Sequence, residues 1–387
     1  MIPRRNIRRA LQKTLRQPSY AIRAFSQRLF SSITYHLFNG YSSFPETISI
    51  FFTHQCNLRC KMCGQWGETG SSKYYTPEIL KQRLSFDLIK KLIDEVRYYK
   101  PNITLFGGEP LIHPDWGKIV GYVKDRGLRC NLITNGTMLE EYAQEIVDSQ
   151  LDEIILSLDG PEEVNDEMRK KEGTFRKLFS GVQRINQIRV HNNKKKPIIN
   201  INTTIFETNY KYLEQLIVIA QQLQARTLTF HHLIFTSNEI YQEHNRIFNN
   251  TFNTRSYDWE GFIRPDLPDI DTDELMKIIG RIKKTKNTVS VSFYPNFTNE
   301  ETRAYYSDFH FVPNSYKRRC LSPWMVAYIF PDGSVRPCLS LNYITGNIKV
   351  DRFKDIWNNE MYCFFRKKVK LERGFPVCTR CTEYYRF

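Results

Sequence analysis

The segment Cys56-Asn-Leu-Arg-Cys60-Lys-Met-Cys63 is the most informative part of this sequence. It follows a short β-rich run, so three thiols with the spacing Cys-x3-Cys-x2-Cys lie on a loop that leaves a strand. Three soft thiolates this close together can bind one face of an iron–sulfur cube and leave its fourth iron open. A structural zinc loop completed by His54 is the alternative. We disfavour it because a histidine within a strand, two residues from Cys56, is poorly placed to close a tetrahedral set.

The composition is that of an ordinary globular protein. With 387 residues, 41% of them hydrophobic and 14% aromatic, the chain is long enough for one large domain and a smaller one. No run of eighteen apolar residues indicates a membrane span, and the first residues are too charged for a secretory signal, so we expect a cytoplasmic protein. In that reducing compartment, nine cysteines favour metal binding over disulfides.

Short β-rich runs alternate with helical patterns from residue 47 to about 235, which is typical of parallel strands joined by helices. Six strands are predicted, at 47–54, 102–106, 129–134, 153–158, 198–204 and 227–235. Between the first two, a helix over 85–99 is predicted with Ser85 as its N-cap. The pattern predicts an α/β fold with a partial barrel, in which functional residues gather at the carboxyl ends of the strands.

Polar residues and glycines follow four successive strands of this predicted barrel. Gly107, Gly108 and Glu109 follow the second strand, Thr134-Asn135-Gly136 follows the third, and Ser157 and Asp159 end the fourth. Together with the cysteines after strand 1, they are expected to line one mouth. Weaker candidates at the fifth strand are Thr203, Thr204 and Asn209. For Gly107-Gly108 a plain turn, and for Asp159 a helix-capping role, stay open on the residues alone.

A second group of cysteines lies near the C-terminus, at Cys320, Cys338, Cys378 and Cys381. The Asp-Gly pair before Cys338 predicts a hairpin. Four cysteines can enclose one metal centre, and from these residues alone zinc and a [4Fe–4S] cluster are about equally favoured. Cys130 and Cys363 are left over and are expected to be structural, with Cys363 as an alternative ligand.

The first motif resembles that of the radical S-adenosylmethionine (SAM) superfamily. Its three cysteines match residue for residue, 52–55 and Gly64 look like the usual surroundings, and Met62 departs from the commoner aromatic residue. The resemblance implies that this [4Fe–4S] cluster binds SAM. It also implies that the Gly107-Gly108-Glu109 segment binds the SAM methionine, that Ser157 and Asp159 lie near its ribose, and that Arg169 pairs with its carboxylate. Asn135 belongs to a matching segment that shapes a turn at the site.

The C-terminal part resembles the SPASM/twitch extension of such enzymes. The similarity rests on Gly333-x4-Cys338, Gly346-Asn347-Ile348, Ile356-Trp357 and Cys378-x2-Cys381. It implies a small α+β domain with one auxiliary [4Fe–4S] cluster held by the four C-terminal cysteines. The predicted organisation is an N-terminal arm at 1–45, a radical SAM barrel at 46–240, a linker or insertion with a helix and a strand at 241–315, and the auxiliary domain at 316–387.

The arm carries eight of the fifteen net positive charges and no acidic residue. Apolar residues recur in it at helical spacing, first Ile7, Leu11 and Leu15, then Ile22, Phe25, Leu29 and Ile33. We expect basic amphipathic helices that pack on the barrel. Peripheral membrane contact through residues 1–40 is an alternative, and binding of nucleic acid a less favoured one.

The resemblance implies a radical SAM enzyme of oxidoreductase type. It would cleave SAM reductively, with an external flavodoxin- or ferredoxin-type electron donor, and abstract hydrogen from a substrate carbon. Oxidation, epimerisation or crosslinking could follow. A sugar or lipid-linked intermediate is the preferred substrate. A peptide maturase, a tRNA-modifying enzyme and a non-catalytic zinc module are alternatives, although no nucleic acid partner is expected. The sequence identifies no residue that acts on the substrate.

Overall fold

One ten-stranded sheet organises the protein. The computed structural model describes residues 18–386, apart from the side chains of residues 18–21 and 74, so the helix predicted around Ile7, Leu11 and Leu15 lies outside the described part. The strand order across the sheet is β10-β9-β8-β1-β2-β3-β4-β5-β6-β7. The strands are β1 (Thr47–Phe51), β2 (Asn102–Phe106), β3 (Arg129–Thr134), β4 (Glu153–Ser157), β5 (Ile198–Ile205), β6 (Thr227–His232), β7 (Ser290–Tyr294), β8 (Val326–Ile329), β9 (Ser334–Arg336) and β10 (Gly346–Asn347).

Helices connect the strands and cover the outer face of the sheet. They are α1 (Pro18–Leu37), α2 (Pro77–Leu80), α3 (Phe86–Val96), α4 (Trp116–Asp125), α5 (Ala143–Asp148), α6 (Glu162–Arg169), α7 (Thr174–His191), α8 (Leu213–Gln222), α9 (Asn238–Phe252), α10 (Thr272–Lys284), α11 (Asn299–Ser307), α12 (Ser322–Met325), α13 (Phe353–Trp357) and α14 (Glu360–Glu372). Strands β1 to β7 are parallel neighbours in chain order. The predicted α/β partial barrel is confirmed, and β7 and β8 each add a parallel strand to the predicted six.

The two faces of this sheet differ in polarity because side chains alternate along each strand. Along β5, Ile199 and Ile201 are buried and join the core beneath the helices, whereas Asn200, Asn202 and Thr204 face the other side and are partly exposed. Strand β4 alternates in the same way. The outer face is therefore an apolar helix-packing surface, and the inner face forms a polar concavity.

The predicted first crossover helix is confirmed. The Ser85 hydroxyl accepts a hydrogen bond from the Leu88 amide at 3.3 Å, so it caps the first turn of α3 as expected. Ile89, Leu92, Ile93 and Val96 form the buried face of α3, and a 3-10 turn over Arg97–Tyr99 ends the element.

The segment 241–270 contains a helix that its sequence did not reveal. Helix α9 begins after Ser237, whose hydroxyl accepts from the Ile240 amide at 3.2 Å. His244, Phe248 and Phe252 recur every four residues on its buried face. The amphipathic pattern of α9 is weak in the sequence, because a buried histidine occupies one position of the apolar stripe and many asparagines surround it.

The C-terminal cysteine segment extends the barrel sheet. Strand β8 pairs with β1 in parallel and with β9 in antiparallel orientation. Gly333 in the connecting turn has φ 86°, which a residue with a side chain rarely adopts. The predicted hairpin is present, and its pairing with β1 fixes it beside the strand from which the first cysteine loop leaves. The residue boundaries given above for the arm, the barrel, the linker and the auxiliary domain remain predictions.

Helix α1 lies on the protein body as expected, but through an unexpected face. Ala24, Ser31 and Tyr35 are its buried positions, while Ile22 and Phe25 are exposed. The Ser31 hydroxyl donates to the Trp324 carbonyl at 3.2 Å, and Arg28 pairs with Glu46 at 2.9 Å. The small and polar stripe of α1 therefore contacts the body, and its apolar stripe points outward.

Buried Arg366 is predicted to hold the N-terminal segment to the C-terminal part of the fold. Its guanidinium donates to the carbonyls of Pro323 (2.8 Å) and Gly40 (3.1 Å) and to the Asn358 side chain (2.8 Å). Arg366→Met would leave these buried acceptors unsatisfied at a cost of about 3 kcal/mol, so we expect the thermal midpoint to fall by on the order of 5 °C. Exposed Arg352→Met, which loses one surface pair with Asp355, is the control. Equal midpoints for the two variants would contradict this role.

Candidate functional site

The three cysteines of the first motif face one another at the barrel mouth. Burial, together with the nearby Glu109 carboxylate and the thiols of Cys60 and Cys63, raises the pKa of Cys56 to about 12. Burial likewise raises the pKa of Cys60, with Cys63 adding to the shift and Arg169 opposing it. Because the three thiols lie close enough to affect one another electrostatically, they share one space. The Trp66 amide donates to the Cys63 sulfur at 3.4 Å, so the chain that follows Cys63 folds back against this sulfur.

Neighbouring strand ends hold this cysteine loop in place. Asn135, after β3, donates to the Asn57 side chain at 2.8 Å, and Asn57 donates to the Thr137 hydroxyl at 2.9 Å. From the far end of α6, the carbonyl of Met168 accepts from the Lys61 amide at 2.9 Å. The loop is therefore held at Asn57 and at Lys61, and the Asn135 side chain takes part in this bracing.

The two glycines after β2 are required by a close backbone approach. The amide of Gly108 donates to the Thr53 carbonyl and that of Glu109 to the Gln55 carbonyl, both at 2.8 Å. A Cβ atom at Gly108 would lie 2.0 Å from the Gln55 oxygen, and Gly107 adopts φ 145°. The chain just before Cys56 is thus packed directly on the glycines, so any larger side chain would displace the cysteine loop.

The Glu109 carboxylate connects the ends of β2 and β3. One oxygen accepts from the Thr134 hydroxyl at 2.7 Å and the Leu111 amide at 3.1 Å, and the other accepts from the Asn135 amide at 2.8 Å. Burial raises the pKa of Glu109 to about 7 although these donors oppose the shift. The side chain thus braces the mouth from within, with both oxygens already engaged.

A buried ion pair closes the mouth on the side of β4. Asp159 pairs with Arg169, and its second oxygen accepts from the Thr204 amide at 2.8 Å. Arg169 also donates to the Cys60 sulfur at 3.6 Å, while its Nε is buried without a hydrogen-bond partner among the described residues. This guanidinium therefore keeps a donor available next to the cysteines.

The weaker candidates at β5 support this pair. The Asn209 amide group donates to the carbonyls of Asp159 (2.7 Å) and Thr204 (2.8 Å). The Thr203 hydroxyl donates to the Leu158 carbonyl at 2.6 Å. Ser157, at the end of β4, pairs in register with Asn202 on the inner face and is partly exposed. The structure thus brings the residues predicted at the ends of β1 to β5 to one mouth, where Thr203 and Asn209 act as braces.

His54 lies apart from the three thiols. Its ring contacts Phe51 at 5.0 Å and Tyr75 at 4.9 Å between centroids. Burial lowers the pKa of His54 to about 4, with Arg336 of the C-terminal hairpin adding to the shift. The geometry gives no support to a zinc site closed by His54.

The four C-terminal cysteines form a second group, and each of them is partly buried. Burial raises the pKa of Cys320 well above its ordinary value, and the other three thiols add to the shift. Burial raises the pKa of Cys378 to about 12 and that of Cys338 to about 11, although the amides of Ser340 and Leu341 hydrogen-bond the Cys338 sulfur. The Phe375 amide donates to the Cys378 sulfur at 3.2 Å. Thiols that share one space and accept backbone N–H bonds suit an iron–sulfur cluster.

The two remaining cysteines lie outside both groups. Cys130 on β3 is fully buried in the core beneath the helices. Cys363 on α14 donates to the Asn358 carbonyl at 3.4 Å, and its backbone packs against Gly40. Both placements agree with the structural roles predicted for them.

A polar network between the two cysteine groups was missed by the sequence analysis. Asp258 accepts from Arg336 at 3.0 Å, from Asn342 at 2.7 Å and from the Tyr75 hydroxyl at 3.2 Å. Burial raises the pKa of Asp258 although Arg336 opposes the shift. Asp258 lies in a stretch without a motif, so only the fold reveals that it joins the loop after Cys63 to the hairpin. We call this loop, residues 64–76, the covering loop.

Comparison with known families matches both cysteine groups. The model of the radical SAM superfamily matches residues 50–218, and that of the SPASM iron–sulfur cluster-binding domain matches residues 320–382. An AdoMet-dependent heme synthase of Methanosarcina barkeri is 26% identical over 344 residues, covering 86% of this chain and 88% of the relative. A cofactor-modifying protein for tungsten-containing aldehyde ferredoxin oxidoreductase from Pyrococcus furiosus is 24% identical, covering 85% of each chain.

Solved structures show the same fold. SuiB of Streptococcus suis bound to SAM superposes with a TM-score of 0.60 at 12% identity, covering 84% of this chain and 68% of that one. The structure of anSMEcpe with bound AdoMet superposes with a TM-score of 0.54 at 17% identity, covering 82% and 81%. Fold and cysteine groups together define a radical SAM protein. The chain carries a radical SAM domain and, C-terminal to it, a SPASM domain, so its cofactors are SAM, a [4Fe–4S] cluster and an auxiliary iron–sulfur centre.

The separation of His54 from the cysteines gives a direct test of the ligand set. After anaerobic reconstitution, His54→Gln should retain as much iron as the wild type, because its ring faces the hairpin. Cys60→Ser should lose about four irons per chain. Iron and zinc are both counted by elemental analysis. Loss of metal in His54→Gln comparable to that in Cys60→Ser would show that the histidine is a ligand after all.

Proposed function

We propose that this protein is a radical SAM enzyme that abstracts hydrogen from a polar substrate held inside the barrel. The observation that carries the proposal is the convergence of three thiols and the open donor of Arg169 at one mouth, above a polar inner face. Cys56, Cys60 and Cys63 are the proposed ligands of the SAM-binding [4Fe–4S] cluster. Three thiol ligands leave one iron open for SAM.

The proposed SAM contacts follow from the buried pair of Asp159 and Arg169. The free Nε of Arg169 points to a carboxylate acceptor, which SAM carries on its methionine part. Ser157 lies on the inner face beside Asp159, where a ribose hydroxyl would find polar partners. Gly107 and Gly108 keep side chains away from this mouth, and Glu109 and Asn135 hold its strand ends in register.

With SAM and the [4Fe–4S] cluster bound, the site would supply one-electron reductive cleavage of the SAM sulfonium and hydrogen-atom abstraction from a substrate carbon, with methionine and 5′-deoxyadenosine as products. The electron comes from an external flavodoxin- or ferredoxin-type donor. The chain orients SAM through Arg169 and excludes water with the covering loop, in which Trp66 donates from its indole to the His54 carbonyl at 2.8 Å. No residue needs to transfer a proton for this step.

Cys320, Cys338, Cys378 and Cys381 are the proposed ligands of one auxiliary [4Fe–4S] cluster. The four thiols are close enough to affect one another electrostatically, and each accepts a backbone hydrogen bond. These four cysteines would hold a group able to take up one electron, which is the chemistry that a net oxidation of the substrate requires.

The inner face supports a substrate rich in hydroxyl groups, such as a sugar or a lipid-linked sugar. Ser157, Asn202, Thr229 and Ser292 stand in register across β4 to β7, so they form one level of the concavity. Thr204, His231 and Tyr294 form the next level towards the mouth. These levels present hydroxyl, amide and imidazole groups, the groups that hydrogen-bond sugar hydroxyls. Within them, Thr229 and Ser292 bond each other at 3.3 Å, and the Tyr294 hydroxyl donates to the Thr382 carbonyl at 3.0 Å.

A tetrapyrrole is the second candidate substrate, because heme synthases are among the relatives that match over 86% of this chain. Adding an iron porphyrin to the reconstituted protein distinguishes the candidates. A Soret shift with substrate-dependent 5′-deoxyadenosine formation would favour the tetrapyrrole. The peptide-modifying alternative has only fold-level support, from the structure of SuiB bound to the precursor peptide SuiA at 13% identity.

The first prediction of this proposal concerns iron content and SAM cleavage. The wild type should bind about eight irons per chain and release 5′-deoxyadenosine when dithionite reduces it. Cys56→Ala/Cys60→Ala/Cys63→Ala should keep about four irons and lose cleavage. Cys130→Ala, which changes a core thiol, is the control and should keep both. Cleavage that survives in the triple variant, or zinc in place of iron, would refute the assignment.

The second prediction concerns Arg169. Arg169→Met should weaken SAM binding at least tenfold, since it removes the charged donor for the carboxylate. Arg176→Met is the matched control because Arg176 pairs with Glu162 at the surface. Equilibrium dialysis with labelled SAM measures both affinities on iron-loaded protein. An unchanged affinity for Arg169→Met, with full iron content, would remove Arg169 from the SAM site.

A further inference from the structure

Helix α1 presents an apolar row to solvent. Ile22, Phe25, Leu29 and Ile33 are spaced by three, four and four residues, so they lie on one face of the helix. Their exposed fractions are 68%, 66%, 49% and 38%. We call these four residues the exposed row. Four adjacent large apolar side chains on one helix face differ from the isolated ones common on protein surfaces.

The exposure of this row follows from how α1 is fixed. Its opposite face packs against the segment around Trp324, through buried Ala24, Ser31 and Tyr35. The Ser31 hydroxyl donates to the Trp324 carbonyl, and Arg28 pairs with buried Glu46. Lys370 on α14 donates to the Tyr35 carbonyl at 2.6 Å. These contacts hold the helix by its polar stripe, so it cannot turn the exposed row inward without breaking them.

The apolar surface continues beyond the end of the helix. Leu37, Phe38 and Tyr41 are each at least half exposed. Gly40, between them, packs against the Cys363 carbonyl and so keeps this stretch on the body. The exposed row and these three residues follow one another along a single edge of the molecule.

Basic groups adjoin this edge. No acidic residue occurs in α1, and Arg23 on it is exposed. At its C-terminal end the Arg319 guanidinium lies 5.9 Å from the Tyr35 ring, and Lys370 contacts the last turn. Burial lowers the pKa of His36, and the charges of Arg319, Lys370 and Lys317 add to the shift, which shows that cations cluster there.

We propose that α1 is a membrane-surface anchor, which docks the protein on bilayers rich in anionic lipid. A helix with an apolar stripe beside cationic groups lies in the plane of the interface, its apolar side chains inserted among the acyl chains and its cations near the headgroups. A second copy of the chain would bring like charges together on this edge, so an anionic lipid surface suits it better. None of the helices in the described part of the chain is long and apolar enough to span a membrane.

Flotation of the full-length, iron-loaded protein with vesicles tests the anchor. Phosphatidylcholine vesicles with about a third phosphatidylglycerol are compared with phosphatidylcholine alone. The variant Phe25→Glu/Leu29→Glu/Ile33→Glu should bind anionic vesicles at least tenfold less than the wild type. Val190→Glu/Val218→Glu/Val350→Glu is the matched control, because these valines are 54–82% exposed elsewhere and the charge change is identical. The control should bind like the wild type, and binding should weaken with salt.

Several results would overturn the anchor. Equal binding by the wild type and the α1 variant would show that other basic surfaces carry it, and no binding by either would refute membrane docking. Self-association of the wild type that the α1 variant loses, without vesicle binding, would identify a second copy as the occupant. Iron content and SAM cleavage should match in all three proteins. If the glutamate variant does not fold, the serine triple variant at the same positions replaces it.

Discussion

The whole site depends on the hydrogen bonds that tie the cysteine loop to the ends of neighbouring strands. Buried Glu109 joins β2 to β3, and Asn135 passes this connection to Asn57 between the first two cysteines. Each of these polar groups would be costly to bury alone, so they are stable only together. The network that satisfies the polar groups at the strand ends therefore also fixes the positions of the three sulfur atoms.

The pairing of β8 with β1 extends this constraint to the second cysteine group. Strand β1 leads into the first cysteine loop, while β8 and β9 lead to Cys338. Because both loops leave one sheet, their separation is fixed by strand geometry. The buried contacts of Asp258 with Arg336 and Tyr75 close the space between them.

Much of this arrangement could be predicted from the sequence, because it is encoded locally. The cysteine spacings, the Asp-Gly turn before Cys338 and the Ser85 cap each depend on a few adjacent residues. The role of Asp258 could not be predicted, because its partners are distant in the sequence. Arg336 and Asn342 lie 78 and 84 residues after it, and Tyr75 lies 183 residues before it. Helix α9 was missed because its buried stripe includes His244. For α1 the helical periodicity was predicted correctly, but periodicity alone does not show which face of a helix packs on the protein body. In α1 the buried hydrogen bonds of Ser31 place the polar face against the body.

The most direct test of the central claim is electron paramagnetic resonance of the reduced protein, with and without SAM, in Cys378→Ala/Cys381→Ala, where only the first cluster should assemble. Coordination of SAM to an open iron changes the electronic environment of the cluster. We expect the g values to shift on addition of SAM, and the shift to require higher SAM concentrations when Arg169→Met is added. A spectrum that SAM leaves unchanged would contradict an open iron at Cys56, Cys60 and Cys63.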